Sequence, residues 1–181
     1  ASCFGAVQKM VQESLILAGH DISSGGLVTA LLEMNFPNTE GGMKVNLTAF
    51  NEKDPARVLF SEFSGVVVQI QEESLSRVEE IAEENNIIIY NIGIYTPRRY
   101  LTITSHKLKL SLDIDRYRDL WFKTSYLFDS GQCGETKAFE RFSNYKNQLL
   151  KFSFPESFSG KLSRYNLPLP LDSRERIPAA I

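Results

Sequence analysis

Two rhythms of apolar and polar positions run along the chain, one with helical spacing and one that alternates. Phe4, Val7, Val11, Leu15 and Ala18 recur at helical spacing, which predicts an amphipathic helix over 3–18 with Gly19 as its C-cap. Residues 20–23 read as a short, extended stretch. Leu27, Ala30, Leu31 and Met34 give a second helix one apolar stripe, and Pro37 stops it. After the Gly41-Gly42 turn, Met43, Val45 and Leu47 alternate with Lys44 and Asn46 as a strand. Asp54-Pro55 opens a short helix, with Asp as N-cap and Pro at the first position. Val66, Val67, Val68 and Ile70 form a nearly continuous apolar run, which predicts a central, doubly buried strand.

Leu75, Val78, Ile81 and Ala82 mark the next helix, closed by Asn85-Asn86. Ile87 through Tyr90 predicts another buried strand, running on to Ile94. Pro97-Arg98-Arg99 is a turn, and Tyr100 and Ile103 begin a hairpin whose second strand carries Leu108, Leu110 and Leu112. Asp113 caps a helix with Ile114, Tyr117, Trp121, Thr124 and Phe128 on one face, a stripe that reads as core or interface packing. Past Gly131 a polar helix is expected over about 134–150. A Ser-, Pro- and Phe-rich stretch follows, with Phe152, Phe154, Phe158 and Tyr165 as anchors over another surface. Leu167-Pro168-Leu169-Pro170-Leu171 is extended, because each proline moves its predecessor out of the helical region.

Composition narrows the class. The chain has 181 residues, 43% hydrophobic and 23% charged, which is ordinary for a globular protein able to bury a core without disulfides. A net charge of -2 gives no footprint for nucleic acid. Cys3 and Cys133 have no metal-ligand spacing and read as reduced thiols of a cytoplasmic protein. No apolar run is long enough to span a membrane. His20 and His106 are the only histidines, so a His-rich metal site is excluded, and His106 falls in the hairpin loop as a solvated residue. No Walker A loop and no GxSxG element occurs, so neither a P-loop nucleotide site nor that hydrolase chemistry is supported.

The richest stretch is Gly19-His20-Asp21-Ile22-Ser23-Ser24-Gly25-Gly26-Leu27. It sets a His-Asp pair, two hydroxyls and two glycines at a helix start. Free N–H groups and a partial positive charge there suit an anion. Asp21 has the chemistry to hold Mg²⁺, which prefers one or two carboxylates plus phosphate oxygens. The plain alternative is a tight turn capped by Ser23 or Ser24, with Asp21 in an Asx turn and His20 a packed structural residue. Glu62 lies between a helix and a strand, as a local cap or a catalytic carboxylate. Glu79-Glu80 and Glu83-Glu84 read as a solvated face. Arg98-Arg99 reads as an exposed turn, with a phosphate or a carboxylate as the alternative partner.

These residues resemble a known family. His20-Asp21-Ile22-Ser23-Ser24-Gly25-Gly26-Leu27, then Leu32-Glu33-Met34 and Gly41-Gly42, look like the large form of phosphoribosylformylglycinamidine synthase. More narrowly they resemble the C-terminal half of its second synthetase-like repeat. Leu59-Phe60-Ser61-Glu62-Phe63-Ser64-Gly65 resembles its LFxExxG element, and Leu120 through Tyr126 its aromatic helix. Many members carry Asp where this chain has Ser24, and Glu-Leu where it has Phe63-Ser64.

The resemblance implies an α+β fold: a mixed sheet with helices packed mainly on one face, like the AIR synthase C-terminal domain, followed by a linker. It implies a domain over 1–130, a linker subdomain over 131–176, and the truncated start of a glutaminase domain at 177–181. The implied parent is an enzyme using ATP and glutamine to turn an amide of a purine precursor into an amidine. Asp21 would be a Mg²⁺ ligand and Ser23 a contact of ATP or ADP at an auxiliary site, with no catalytic residue in this segment. The implied partners are the other domains of the parent polypeptide, with neither nucleic acid nor membrane. Other superfamily kinases and synthetases, or a non-catalytic interaction domain, are the alternatives.

Overall fold

The computed structural model describes residues 2–147 and 153–158. The chain divides into two units, Ala1–Lys146 and Asn147–Ile181. Tyr165, the Leu167–Leu171 stretch and Ile177–Ile181 lie outside the described residues, as does Phe152.

The first unit is α+β. Its elements run α1 (Ser2–Gln12), β1 (Ile16–Ile22), α2 (Gly26–Asn35), β2 (Gly42–Asn46), α3 (Pro55–Phe60) and β3 (Gly65–Ile70). They continue with α4 (Leu75–Glu84), β4 (Gly93–Thr96), β5 (Tyr100–Thr104), β6 (Lys109–Asp113), α5 (Ile114–Cys133) and α6 (Glu135–Ser143). A four-stranded mixed sheet has the order β4-β2-β5-β6, with β2 and β5 parallel and the other pairs antiparallel. β1 and β3 form a separate two-stranded antiparallel ladder.

Strand alternation builds the main core. Val45, Leu101, Ile103 and Leu112 point inward from the four-stranded sheet. They meet Leu27, Val28, Leu31 and Leu32 of α2, Leu59 of α3 and Ile114 of α5, so these helices share one sheet face. A second, smaller core joins Ala6 and Met10 of α1 to Val78 and Ile81 of α4, under Ile16 and Ile70 of the ladder. On its rim, Arg77 donates Nε and Nη2 to the two carboxylate oxygens of Glu13, both at 2.7 Å.

Three expectations are corrected. The first helix ends at Gln12, not Ala18. Ser14 adopts φ 56°, which breaks the helix, so that Leu15 falls in the connection and Ala18 in β1. Their spacing fits a helical stripe and an extended segment equally, so periodicity missed the change. The valine-rich β3 is not central: it has one partner, β1, and Val66 is 41% exposed. Residues 87–92 form no strand, and Ile88 is 80% exposed. The strand starts only at Gly93.

Other expectations hold. Asp54 Oδ1 accepts the N–H of Ala56 and caps α3, and Asp113 Oδ1 accepts the N–H of Arg116 and caps α5. The stripe on α5 divides: Ile114 is buried and Tyr117 packs on the main core, whereas Trp121 and Phe128 are exposed. The rest of α5 is held by α6 through Arg118, whose Nη1 donates to the backbone oxygen of Phe142 at 2.9 Å and whose guanidinium lies 5.3 Å from the centroid of the Phe142 ring and 3.7 Å from that of Tyr145. Of the polar helix expected over 134–150, the described part is α6 and a 3-10 turn at Asn144–Asn147. In the second unit, the rings of Phe154 and Phe158 stack at 4.5 Å.

Candidate functional site

The His-Asp pair sits at the end of β1. β1 pairs with β3 so that His20 lies opposite Val67 and Asp21 opposite Val66. Alternation along the strand sends neighbours to opposite faces. Ile22 and Val67 join the core under α2, and His20 turns the same way. Asp21 therefore turns outward, with its side chain 73% exposed.

His20 is held rather than free. Its Nε2 lies 3.3 Å from Glu33 Oε2 on α2, and its Nδ1 lies 2.7 Å from the backbone oxygen of Asp21. Glu33 Oε1 in turn accepts the indole N–H of Trp121 at 2.8 Å. A line of contacts thus runs from α5 through α2 to the backbone that carries Asp21. Nothing in the sequence marks it, because the three side chains are far apart along the chain.

The turn into α2 is built by its glycines. Gly25 and Gly26 have φ 84° and 72°, a left-handed backbone that other residues adopt only with strain. Gly26 also has no room for a side chain: a Cβ there would stand 2.6 Å from the backbone oxygen of Leu59. The N–H of Gly26 donates to the backbone oxygen of Ser23 at 3.0 Å. Gly25 is the N-cap residue, and no side chain caps the helix from that position. Instead, Glu62 Oε1 accepts the N–H of Gly25 at 2.9 Å.

This changes the expected picture of the helix start. Neither Ser23 nor Ser24 caps α2. The amides of Gly25 and Gly26 are both taken within the chain, so fewer free donors face outward than the sequence implies. Glu62 is the local cap among its two expected roles. The polar groups left facing solvent are the Asp21 carboxylate and the hydroxyls of Ser23 and Ser24, neither of which has a partner among the described residues.

Asp21 fits a shared metal better than a closed cage. It offers hard carboxylate oxygen in the open, the donor that Mg²⁺ prefers. No group of three or more His, Cys, Asp or Glu side chains converges for a metal among the described residues. A Mg²⁺ ion here would therefore take its other ligands from phosphate oxygens, water or protein outside these residues.

Arg98 and Arg99 part company. Arg98 is exposed, as expected of a turn. Arg99 is not: its side chain is only 15% exposed, and its Nε donates to Asp115 Oδ1 at 3.0 Å. Its Nη1 donates to the backbone oxygens of Asn35 and Gly41. Asp115 also accepts bonds from the Tyr145 hydroxyl at 3.0 Å and from Lys146 Nζ. Burial pushes the Asp115 carboxyl up, but the hydrogen bonds from Lys146, Arg99 and Tyr145 outweigh it and hold the group below its ordinary value. Arg99, expected in an exposed turn, instead meets a carboxylate inside the fold as a structural tie. Glu79, Glu80, Glu83 and Glu84 form the solvated face expected of them, and His106 is exposed in its loop. Cys3 and Cys133 are free thiols.

With the geometry in place, comparison with known proteins gives a consistent result. Residues 2–106 match the family described as "AIR synthase related protein, C-terminal domain". A probable phosphoribosylformylglycinamidine synthase of Arabidopsis thaliana, named as chloroplastic/mitochondrial, is 34% identical over 131 residues, 71% of this chain and 9% of that protein. The major tegument protein of Epstein-Barr virus is 37% identical over 84 residues, 46% of this chain and 6% of that protein. The structure of T. maritima PurL complexed with ATP shares the fold, with a TM-score of 0.57 and 20% identity over 62% of this chain and 20% of that one. The chain spans about a tenth of the length of the curated synthases it matches.

Proposed function

The chain belongs, through residues 2–106, to the family of AIR synthase related C-terminal domains, and from that premise we propose that it serves as one segment of a phosphoribosylformylglycinamidine synthase. In this reading residues 1–130 are the C-terminal half of a synthetase repeat, and 131–176 are a linker subdomain. The larger enzyme converts formylglycinamide ribonucleotide to its amidine. ATP activates the amide oxygen, ammonia from glutamine displaces phosphate, and ADP, phosphate and glutamate leave. The segment contributes binding rather than chemistry: Asp21 to Mg²⁺ and Ser23 to ATP or ADP at an auxiliary site. Its partners are the other domains of that polypeptide, in the cytoplasm. Free thiols support a reducing compartment, and no helix among the described residues is long and apolar enough to cross a membrane.

The observation that carries the site assignment is the outward carboxylate of Asp21, 73% exposed at the end of β1 beside a glycine turn. Bound Mg²⁺ would neutralise phosphate charge there. His20, Glu33 and Trp121 fix the backbone behind it, and Glu62 fixes the turn in front of it.

The test is calorimetry of the full-length polypeptide with Mg-ADP. Asp21→Ala is expected to weaken binding by about 1–3 kcal/mol, the range for hydrogen bonds and contacts to a charged group. Unchanged affinity would remove Asp21 from the site. The isolated segment is expected to be inactive, so amidine formed by it from ammonia, ATP and substrate would contradict the reading.

A second reading follows from the viral relative. A protein named for its place in a virion tegument matches 84 residues at 37% identity, so this fold also occurs under a name that describes no enzyme. In that reading the segment is an interaction domain and Gly25-Gly26 is only a turn. Full-length protein that binds no Mg-ADP would favour it.

A further inference from the structure

The four-stranded sheet has a second face, away from the helices. There β2, β5 and β6 run in register so that Lys44 lies beside Thr102 and Thr102 opposite Ser111. Their neighbours Val45, Ile103 and Leu112 turn into the core, so this row turns to solvent. Thr96, Arg98 and Tyr100 flank the row, and the six side chains line a groove of about 370 Å³.

Most of the lining surface is carbon, from the stems and rings of these side chains, and its polar tips are one-sided. Every one of the six side chains can donate a hydrogen bond, two are cations, and no carboxylate lines the groove. Seven of the fifteen cations in the first unit are paired, and Lys44 and Arg98 are the two unpaired ones that share this groove. Lys9, Arg57, Arg77, Arg99, Arg118, Arg141 and Lys146 each lie against an acid. Lys44 and Arg98 have no such partner among the described residues. The nearest acid along β6, Asp113, is engaged in capping α5. In a chain with a net charge of -2, the groove brings two unpaired cations together over hydroxyls, with Asp113 across from Tyr100 at its edge.

We propose that this groove binds a diphosphate group. Strands are spaced about 4.8 Å apart, so the Lys44–Thr102–Ser111 row spans about 10 Å, enough for two linked phosphates. Arg98 offers the planar fork that grips one phosphate through two N–H groups, and Lys44 a point charge for the other. The hydroxyls of Thr102, Ser111 and Tyr100 supply the remaining donors. The groove lies on the four-stranded sheet, whereas Asp21 lies on the two-stranded ladder, so the proposal stands apart from the Mg-nucleotide reading.

Inorganic pyrophosphate titrated into the 181-residue chain at low salt, followed by amide NMR, tests it. The expected shifts fall on Lys44, Thr96, Arg98, Tyr100, Thr102 and Ser111. Lys44→Ala and Arg98→Ala should each weaken binding by about tenfold, the scale of one lost charge-assisted bond. Both residues are exposed, so the variants should keep the wild-type spectrum elsewhere. Asp21→Ala should leave the titration unchanged. Absence of binding, shifts confined to Gly25–Leu27, or unaltered affinity in both variants would overturn the proposal. Equal binding of citrate would also overturn it, since that would show bulk attraction of anions rather than recognition of phosphate.

Discussion

Glu62 accepts the backbone N–H of Gly25, and this one bond joins the turn after β1 to the segment before β3. It places an ionised side chain at the start of α2, where a negative charge is favoured. Glu62→Ala is expected to lower stability by about 1 kcal/mol, the usual cost of losing a helix cap. Glu62→Gln, which keeps an acceptor but loses the charge, should cost less. Urea denaturation of the three proteins checks the order; equal midpoints would mean that the bond contributes nothing in solution.

The two glycines of the same turn should respond differently. A Cβ on Gly26 meets backbone of Leu59 and Phe60 at 2.6–2.8 Å, and backbone cannot rotate away. Gly26→Ala combines that clash with a left-handed φ and should cost about 3 kcal/mol. On Gly25 the nearest atom is Thr29 Oγ1, the end of a side chain that can turn. Gly25→Ala should cost the backbone strain and the bond from Thr29 Oγ1 to the Gly25 backbone oxygen, which turning that hydroxyl breaks, about 2 kcal/mol together. Thermal unfolding of the two variants would separate them, and equal losses would refute the distinction.

Trp121 is the chain's one tryptophan, and its indole reports directly on Glu33. Glu33→Gln should shift its fluorescence. Trp121→Phe and Glu33→Gln should each destabilise, and the double variant should cost less than their sum by about 0.5–1 kcal/mol. Strict additivity in that cycle would show that the contact carries no energy.

Much of this architecture is visible in the amino-acid pattern, and the failures have physical reasons. α2, α3 and α5 announce themselves through stripes and caps, because Pro37, Asp54-Pro55 and Asp113 act locally. The β5–β6 hairpin is equally local. β1 was hidden because Leu15 and Ala18 continue a helical spacing, while the decisive event is the positive φ of Ser14. β3 looked central because three successive valines mimic a doubly buried strand, yet the ladder has only two strands. At the site, Asp21 and Ser23 were readable as polar groups beside a glycine turn. Their supports were not: Glu62 acts from another loop, and Trp121 reaches Glu33 only after α5 has docked. Arg99 was misread because turn residues are usually exposed, and its carboxylate partner belongs to a different element.

Asp115 gives the protein a titratable tie. Its carboxyl is held below the ordinary value, which is about 3.9 in an unfolded chain. The folded state therefore favours the ionised form. That contribution is fully present above the unfolded value and is lost as pH falls through the lower folded one. Wild type should lose more stability than Asp115→Asn as pH falls from about 5 through and below the ordinary carboxylate range. Glu13 and Glu84 are also held low by Arg77 and Lys9, but they act equally in both proteins, so the difference isolates Asp115. Parallel acid curves would refute the assignment.

β2 and β5 lie side by side and parallel at the centre of their sheet, although α3, β3, α4 and β4 intervene along the chain. No short hairpin can bring such strands together, so the loop must close before the pairing rewards it. The sheet's middle seam is thus, with β1–β3 and β2–β4, one of the pairings that close a long loop. A nascent chain that has emerged only as far as β4 holds half of a core, with the inward faces of Val45 and α2 still waiting for Leu101 and Ile103.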